Sequence, residues 1–294
     1  MMPWKAAFVP LTLLAWGLAV TPSAAESIAV ESIAQAPALA SPDIFFFEDW
    51  CLFKDELSIE RQHTVSVLLA SLGTDNCAEA NRRASTVTLL NLRGQALQDL
   101  APLTAFPILR ELGLSYNDIS DLSPLSAIPN LTRLQLSHNQ IRDLSALQSL
   151  TNLQVLGLSD NQVVDISPLS TLDKLQDLQL GGNQLSNLGA IAPLASLKTL
   201  DLSRNQIADV SPLGALSELQ TLDLSANMIA DIAPLATLGS LQTLNLNRNL
   251  VTNPAPLRQL THLEQIYLYN NPAAPLTCSN TVNTLCLIAP GDGL

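Results

Sequence analysis

One asparagine recurs every 22 residues: Asn117, Asn139, Asn161, Asn183, Asn205, Asn227 and Asn249 follow one another without a slip. Asn271 extends the series by a further period, and Gln95 holds the place one period before Asn117. A period this strict, over more than half of 294 residues, restricts the chain to a stack of equivalent coils, in which residues one period apart become neighbours. Such a stack makes a long surface and no central cavity. Function is therefore expected from a face and not from a pocket.

Around each asparagine the same nonapeptide returns. Residues 131–139 follow the pattern LxxLxLxxN, and so do 153–161, 175–183, 197–205, 219–227 and 241–249. Apolar and polar residues alternate within it, which is the period of a half-buried strand. Leu134 and Leu136 are expected to face inward, with Arg133, Gln135 and Ser137 outward. At the corner that follows, a short amide can satisfy backbone groups that have no ladder partner. The asparagines are read as structural and are given no binding role. The motif resembles that of leucine-rich repeat proteins, over about residues 87–272. Its length is similar to the short-repeat class of bacterial internalins and of an intracellular phosphatase-regulating relative, while the cysteines flanking the repeats resemble those of secreted bacterial members, cyanobacterial ones among them. The resemblance implies an α/β solenoid, a right-handed horseshoe of nine repeats with a parallel concave sheet and short helical or 3-10 turns on the convex side.

The return segments support this. Ile119, Ile141, Val163, Leu185, Ile207, Ile229 and Val251 follow two positions after each asparagine, and Leu122, Leu144, Ile166, Leu188, Val210 and Ile232 make a second apolar column. Pro102, Pro124, Pro168, Pro212, Pro234 and Pro256 share one phase. Proline fixes its own φ and donates no hydrogen bond, so it suits the first turn of a short helix. Ala146 replaces it in the third coil, and Ala190 in the fifth with Pro193 shifted along, so convex geometry is expected to differ in those two. Asp99, Asp121, Asp143, Asp165, Asp209 and Asp231 share another phase, with Asn187 and Asn253 in the gaps. Both residue types accept backbone N–H bonds at the start of a turn. The neutral members favour that capping role over a calcium ribbon.

A single coil cannot offset the entropy of ordering its own residues, so the stack needs neighbours and covers at its ends. Residues 43–86 are read as a helical N-terminal cap, with a helix from Ser58 to a stop at Gly73 and a second opened by Asp75, Asn76 and Cys77. Phe45, Phe46, Phe47 and Trp50 are read as the plug over the first coil. Residues 273–294 are read as the C-terminal cap and tail. Four cysteines allow three pairings. Nine strands at about 4.8 Å each hold the ends roughly 40 Å apart, far beyond the ~7 Å that a disulfide spans. That leaves Cys51 with Cys77 and Cys278 with Cys286, and disfavours a zinc site shared between the caps. No cofactor or metal is expected.

Residues 1–25 read as a signal peptide: Lys5, an apolar run over 11–20, then Ser23, Ala24 and Ala25. The run is short for a membrane span, with an uncleaved anchor as the alternative. Residues 26–42 read as a flexible linker. Paired cysteines fit an oxidising compartment. The expected location is secreted, periplasmic or cell-surface, as a monomer without stable membrane insertion. Acidic residues number 26 against 14 basic ones, and the resulting charge of −12 argues against nucleic acid and anionic membranes as partners.

Outward strand positions carry the chemistry that does not repeat. Arg93, Glu111, Arg133, Asp160, Asp177, Asp201, Arg204, Asp223 and Arg248 make a nearly balanced face, which suits directional bonding to a protein or a glycan. Tyr267 and Tyr269 project beside Asn245, Asn247 and Arg248. Tyrosine and arginine are enriched at the energetic centres of interfaces, so docking is expected at this end. The alternative is that the tyrosines shield the C-terminal cap. His138 is expected between Tyr116 and Asp160, near Ser115, Ser137 and Ser159. A Ser-His-Asp arrangement can be drawn there, but the serine belongs to the repeat, as Ser203 and Ser225 attest. The candidate binding set is Tyr267, Tyr269, Arg248, Asn245, Asn247, Asp223, Arg204, Asp201, Arg133, His138 and Tyr116. From the resemblance, the expected function is non-catalytic protein binding through the concave face, in adhesion or cell-surface contact. Regulation of an enzyme such as a phosphatase, and glycan or cell-wall binding, are the alternatives.

Overall fold

The computed structural model describes residues 46–272, together with the backbone of 285–287. The expected signal peptide, the linker, Phe45 and the Cys278–Cys286 bridge lie outside the described residues. Ten short strands run parallel in one sheet and in chain order: β1 (Leu89–Asn91), β2 (Glu111–Gly113), β3 (Arg133–Gln135), β4 (Val155–Gly157), β5 (Asp177–Gln179), β6 (Thr199–Asp201), β7 (Thr221–Asp223), β8 (Thr243–Asn245), β9 (Gln265–Tyr267) and β10 (Leu285–Leu287). From β1 to β9 each residue pairs with the residue one period on, as Leu134 does with Leu156 and Leu156 with Leu178. Phase therefore holds through coils whose turns differ.

The core is one continuous apolar column. In the coil from 131 to 152, Leu131, Leu134, Leu136, Ile141, Leu144, Leu147 and Leu150 are all buried. Beside it runs a ladder of asparagines. Asn161 Oδ1 accepts from Ile141 N of the preceding coil at 3.0 Å, while its Nδ2 donates to the carbonyls of Leu136 and Leu158 at 3.0 Å each. Asn139, Asn183, Asn205, Asn227 and Asn249 repeat these three bonds. Each amide thus joins two coils where the chain leaves the sheet and has no ladder partner.

On the convex side the proline phase gives five-residue 3-10 turns, as at Ser123–Ala127 and Ser167–Thr171. The expected departure at Ala146 does not occur, since Ser145–Ser149 forms the same turn. Alanine can take proline's φ, and Leu147 N still donates to Leu144 O at 2.9 Å. The fifth coil does depart, with its turn shortened to Gly189–Ile191. Pro193 stands one period after Thr171, where the turn needs a donor that proline lacks. Every member of the edge column caps its turn: Asp165 Oδ1 accepts from Ser167 N at 2.8 Å, and Asn187 and Asn253 make the equivalent bond.

This capping has a pH consequence. Hydrogen bonds from Ser167 and Ser211 hold the Asp165 and Asp209 carboxyls below the usual aspartate value of 3.8. A depressed folded value adds stability above the unfolded value, and that stability is lost as pH falls through the folded one. Carboxyl 13C titration should find both groups ionised below pH 3.8, with thermal stability falling across the same acid window.

Three helices precede the sheet. α1 (Phe47–Leu52) buries Phe47 edge-on against Phe106, with ring centroids 5.7 Å apart. Of the expected plug, Phe47 and Trp50 are buried, whereas Phe46 is 60% exposed. Phe46 lies in extended backbone ahead of the helix, which turns its ring away from the face that Phe47 presents. α2 (Ile59–Leu72) is capped by Ser58 and stopped by Gly73 at φ 69°, and it buries Val65, Leu68, Leu69 and Leu72. α3 (Cys77–Ala84) is capped by Asn76 and tied to α1 by the Cys51–Cys77 disulfide. Polar contacts pin α2 to the first coil: Arg61 Nε meets Asp99 Oδ2 at 2.7 Å, and Thr64 Oγ1 donates to Asp99 O at 2.7 Å.

Candidate binding face

Asp160, Arg204 and Arg248, expected at outward strand positions, fall past the ends of the three-residue strands. Tyr116, His138, Asp160, Arg204 and Arg248 lie beyond their strands, one position before the asparagine, in left-handed backbone with φ between 53° and 63°. Two requirements meet there. The backbone N–H must reach the next coil, as His138 N does to Ser159 O at 2.8 Å, and the following asparagine must swing into the core. Left-handed backbone costs an ordinary L-residue roughly 1–2 kcal/mol. Gly94, Gly182 and Asn270 stand in the same column and suit it best.

The side chains of this column, with Arg93 from the neighbouring one, form a chain of contacts. The Arg93 guanidinium lies 3.9 Å from the centre of the Tyr116 ring. Tyr116 stacks on His138 at 4.0 Å and 27°. His138 Nε2 faces Asp160 Oδ2 at 3.4 Å. Asp160 receives Arg204 in two-pronged fashion, Nη1 to Oδ1 at 2.9 Å and Nη2 to Oδ2 at 3.1 Å, and this bonding raises the Arg204 pKa. That last pair skips a coil. Gly182 stands between its partners, where a Cβ would come within 2.3 Å of Asp160 Oδ1. His138 thus sits between Tyr116 and Asp160 as expected, and Asp160 is shared with Arg204.

A second group lies toward the other end. Asp201, Asp223, Asn245 and Tyr267 are successive register partners. Asp201 and Asp223 each accept a bond from the backbone two residues on, Ser203 N and Ser225 N, at 2.8 Å. Asn245 Nδ2 donates to Asp223 Oδ2 at 2.9 Å, and Asn247 Oδ1 accepts from Tyr269 N at 2.7 Å. These residues are partly committed to shaping the face. Tyr267 and Tyr269 are half-buried, and Tyr267 pairs in register with Leu287 of β10, so the sheet continues past them. Arg248 is exposed. Arg133 stands apart from both groups, with its Nε 3.6 Å from Glu111 Oε2. Among the described residues no cluster of three or more His, Cys, Asp or Glu is placed to hold a metal ion.

The candidate set omits residues that the structure adds. Arg93 completes the aromatic chain, Gly182 lets Arg204 reach Asp160, and Gly113 leaves a gap in the sheet face. Glycines at outward or corner positions were the available signal, because glycine there removes a side chain that most other coils present.

A family model described as Leucine Rich repeats (2 copies) matches residues 109–149, 151–193 and 195–237. An internalin C2 of Listeria monocytogenes is 31% identical, with 69% of this chain and 91% of that one covered and a TM-score of 0.65. An internalin, InlF, of the same organism is 29% identical, with 73% and 70% covered and a TM-score of 0.61. The leucine-rich repeat ectodomain of the plant membrane receptor kinase GASSHO1/SCHENGEN3 from Arabidopsis thaliana, solved in complex with Casparian strip integrity factor 2, is 28% identical, with 65% and 25% covered and a TM-score of 0.58. No curated protein matches the chain. Repeat length, asparagine ladder, sheet register and these likenesses agree: the chain belongs to the leucine-rich repeat proteins of the 22-residue class, similar to the internalins.

Proposed function

We propose that this protein is a non-catalytic, extracytoplasmic binding module that holds a protein partner along the sheet face. The observation that carries this reading is the left-handed column. Tyr116, His138, Asp160 and Arg204 occupy positions where glycine or asparagine would cost less, and they are ordered by one another and not by the core. Side chains ordered in advance lose little freedom on binding, which is how a surface gains affinity without added area. The plant ectodomain's complex with Casparian strip integrity factor 2 supports a peptide or protein as partner. The Cys51–Cys77 disulfide supports an oxidising location. Among the described residues no helix is long and apolar enough to cross a membrane.

The partner extends from this column to Tyr267 and Tyr269. Crosslinking of the mature chain, followed by mass spectrometry, should place partner crosslinks on this face. The double variant Tyr267→Ala with Tyr269→Ala should weaken capture by about tenfold or more while the melting temperature stays nearly constant. A fall in melting temperature instead would make the tyrosines part of the C-terminal cover. Crosslinks confined to the convex turns would overturn the reading, and glycan-array ligands without a protein partner would replace protein by glycan.

A further inference from the structure

The face is not uniform at its N-terminal end. Gly113 takes an outward position in β2 between Asn91 and Gln135, its register partners, and a Cβ there would come 2.9 Å from Asn91 Oδ1. Around it lies a solvent-open notch of about 340 Å³, walled by Arg93, Arg133, Glu111 and Leu89. Leu89 is 60% exposed, in a column where the other coils carry Glu111, Arg133, Asp177, Gln265, three threonines and a half-buried Val155. Arg93 is spent on the Tyr116 ring, and Arg133 meets Glu111 only at 3.6 Å. Both guanidinium groups therefore keep N–H donors for a further acceptor. Two cations against one anion make the notch a positive island on a chain of net charge −12.

Resting on the concave-face reading, we infer that this notch takes an extended segment of the partner protein in which an apolar side chain stands next to a carboxylate. The apolar group fills the space above Gly113 and covers Leu89, removing the exposed leucine from water. The carboxylate accepts from Arg133 and Arg93, a charge-assisted bond of the strong kind. Arg93 is already placed by the stack of Tyr116 on His138, so its ordering cost is small. Lysine-rich segments are repelled by the two arginines. Polyanions are repelled by the chain as a whole.

The test uses the full mature chain and four fluorescein-labelled hexapeptides: a central leucine flanked by glutamates, by glutamines or by lysines, and the glutamate peptide with serine in place of leucine. Binding is read by fluorescence polarisation and by the Gly113 amide and arginine Nε–H resonances. The glutamate–leucine peptide should bind at least tenfold tighter than the other three and should shift those resonances. Gly113→Val, which fills the notch against the movable Asn91 side chain, and Arg133→Gln should each weaken it about tenfold, with melting temperatures unchanged. Arg133 is exposed, so its variant keeps the test valid if Gly113→Val misfolds. Equal binding of the glutamine or lysine peptides, or Gly113 resonances that no peptide moves, would overturn the inference. Should partner capture fail in the tyrosine double variant but survive Gly113→Val, the concave-face reading stands and this one falls.

Discussion

Asn161→Ala is expected to cost the protein about 2–6 kcal/mol of unfolding free energy, more than any surface change should. The substitution removes little apolar contact, so the loss comes from the ladder. Ile141 N has Asn161 Oδ1 as its partner and is buried, so it is left without one. An orphaned buried donor costs about 1–3 kcal/mol. The Leu136 and Leu158 carbonyls each lose one bond but keep another, from Asn139 and Asn183 respectively. Each of those losses is worth about 0.5–1.5 kcal/mol. Denaturant unfolding should also show a shallower slope, because a weakened central coil lets the two halves of a repeat stack unfold separately. An Asn161→Ala chain that melted with the wild type would mean that the ladder is ornamental.

Removing the Cys51–Cys77 bond, as in the double alanine variant, should destabilise the N-terminal cap by about 3–4 kcal/mol, the loop-closure value for a separation of 26 residues. The effect should be local. α1, α2 and α3 shield the first coil through Phe47 on Phe106 and through Arg61 and Thr64 on Asp99. Hydrogen exchange by mass spectrometry should show lost protection in the three helices and β1, with β5 to β8 unchanged. Uniform loss along all strands would show instead that the stack unfolds as one unit.

Much of this architecture was legible beforehand, and for a definite reason. In a repeat each inference is tested many times over: Asn117 to Asn249, the proline phase and the alternation of leucines all report the same coil. The cap helices were readable because Ser58, Gly73 and Asn76 are local signals whose partners lie within a few residues. The plug was only half readable. Whether Phe46 or Phe47 turns inward depends on where α1 begins, which the aromatic run does not mark. The strand ends were misplaced for a similar reason, since an alternating pattern does not mark where the backbone turns into the left-handed corner.

The periodic part of this protein was settled by the order of its residues, because stacking in register turns a spacing of 22 into a distance between neighbours, coil after coil. Its face was settled in three dimensions. Arg204 meets Asp160 across 44 residues because Gly182 presents nothing between them, and Arg93 finds Tyr116 from a different column. The notch at Gly113 is likewise an absence bounded by side chains from three strands. Contacts that skip a coil or cross columns depend on how long side chains lean, and leaning is decided by the neighbours that surround them, not by the period that places them.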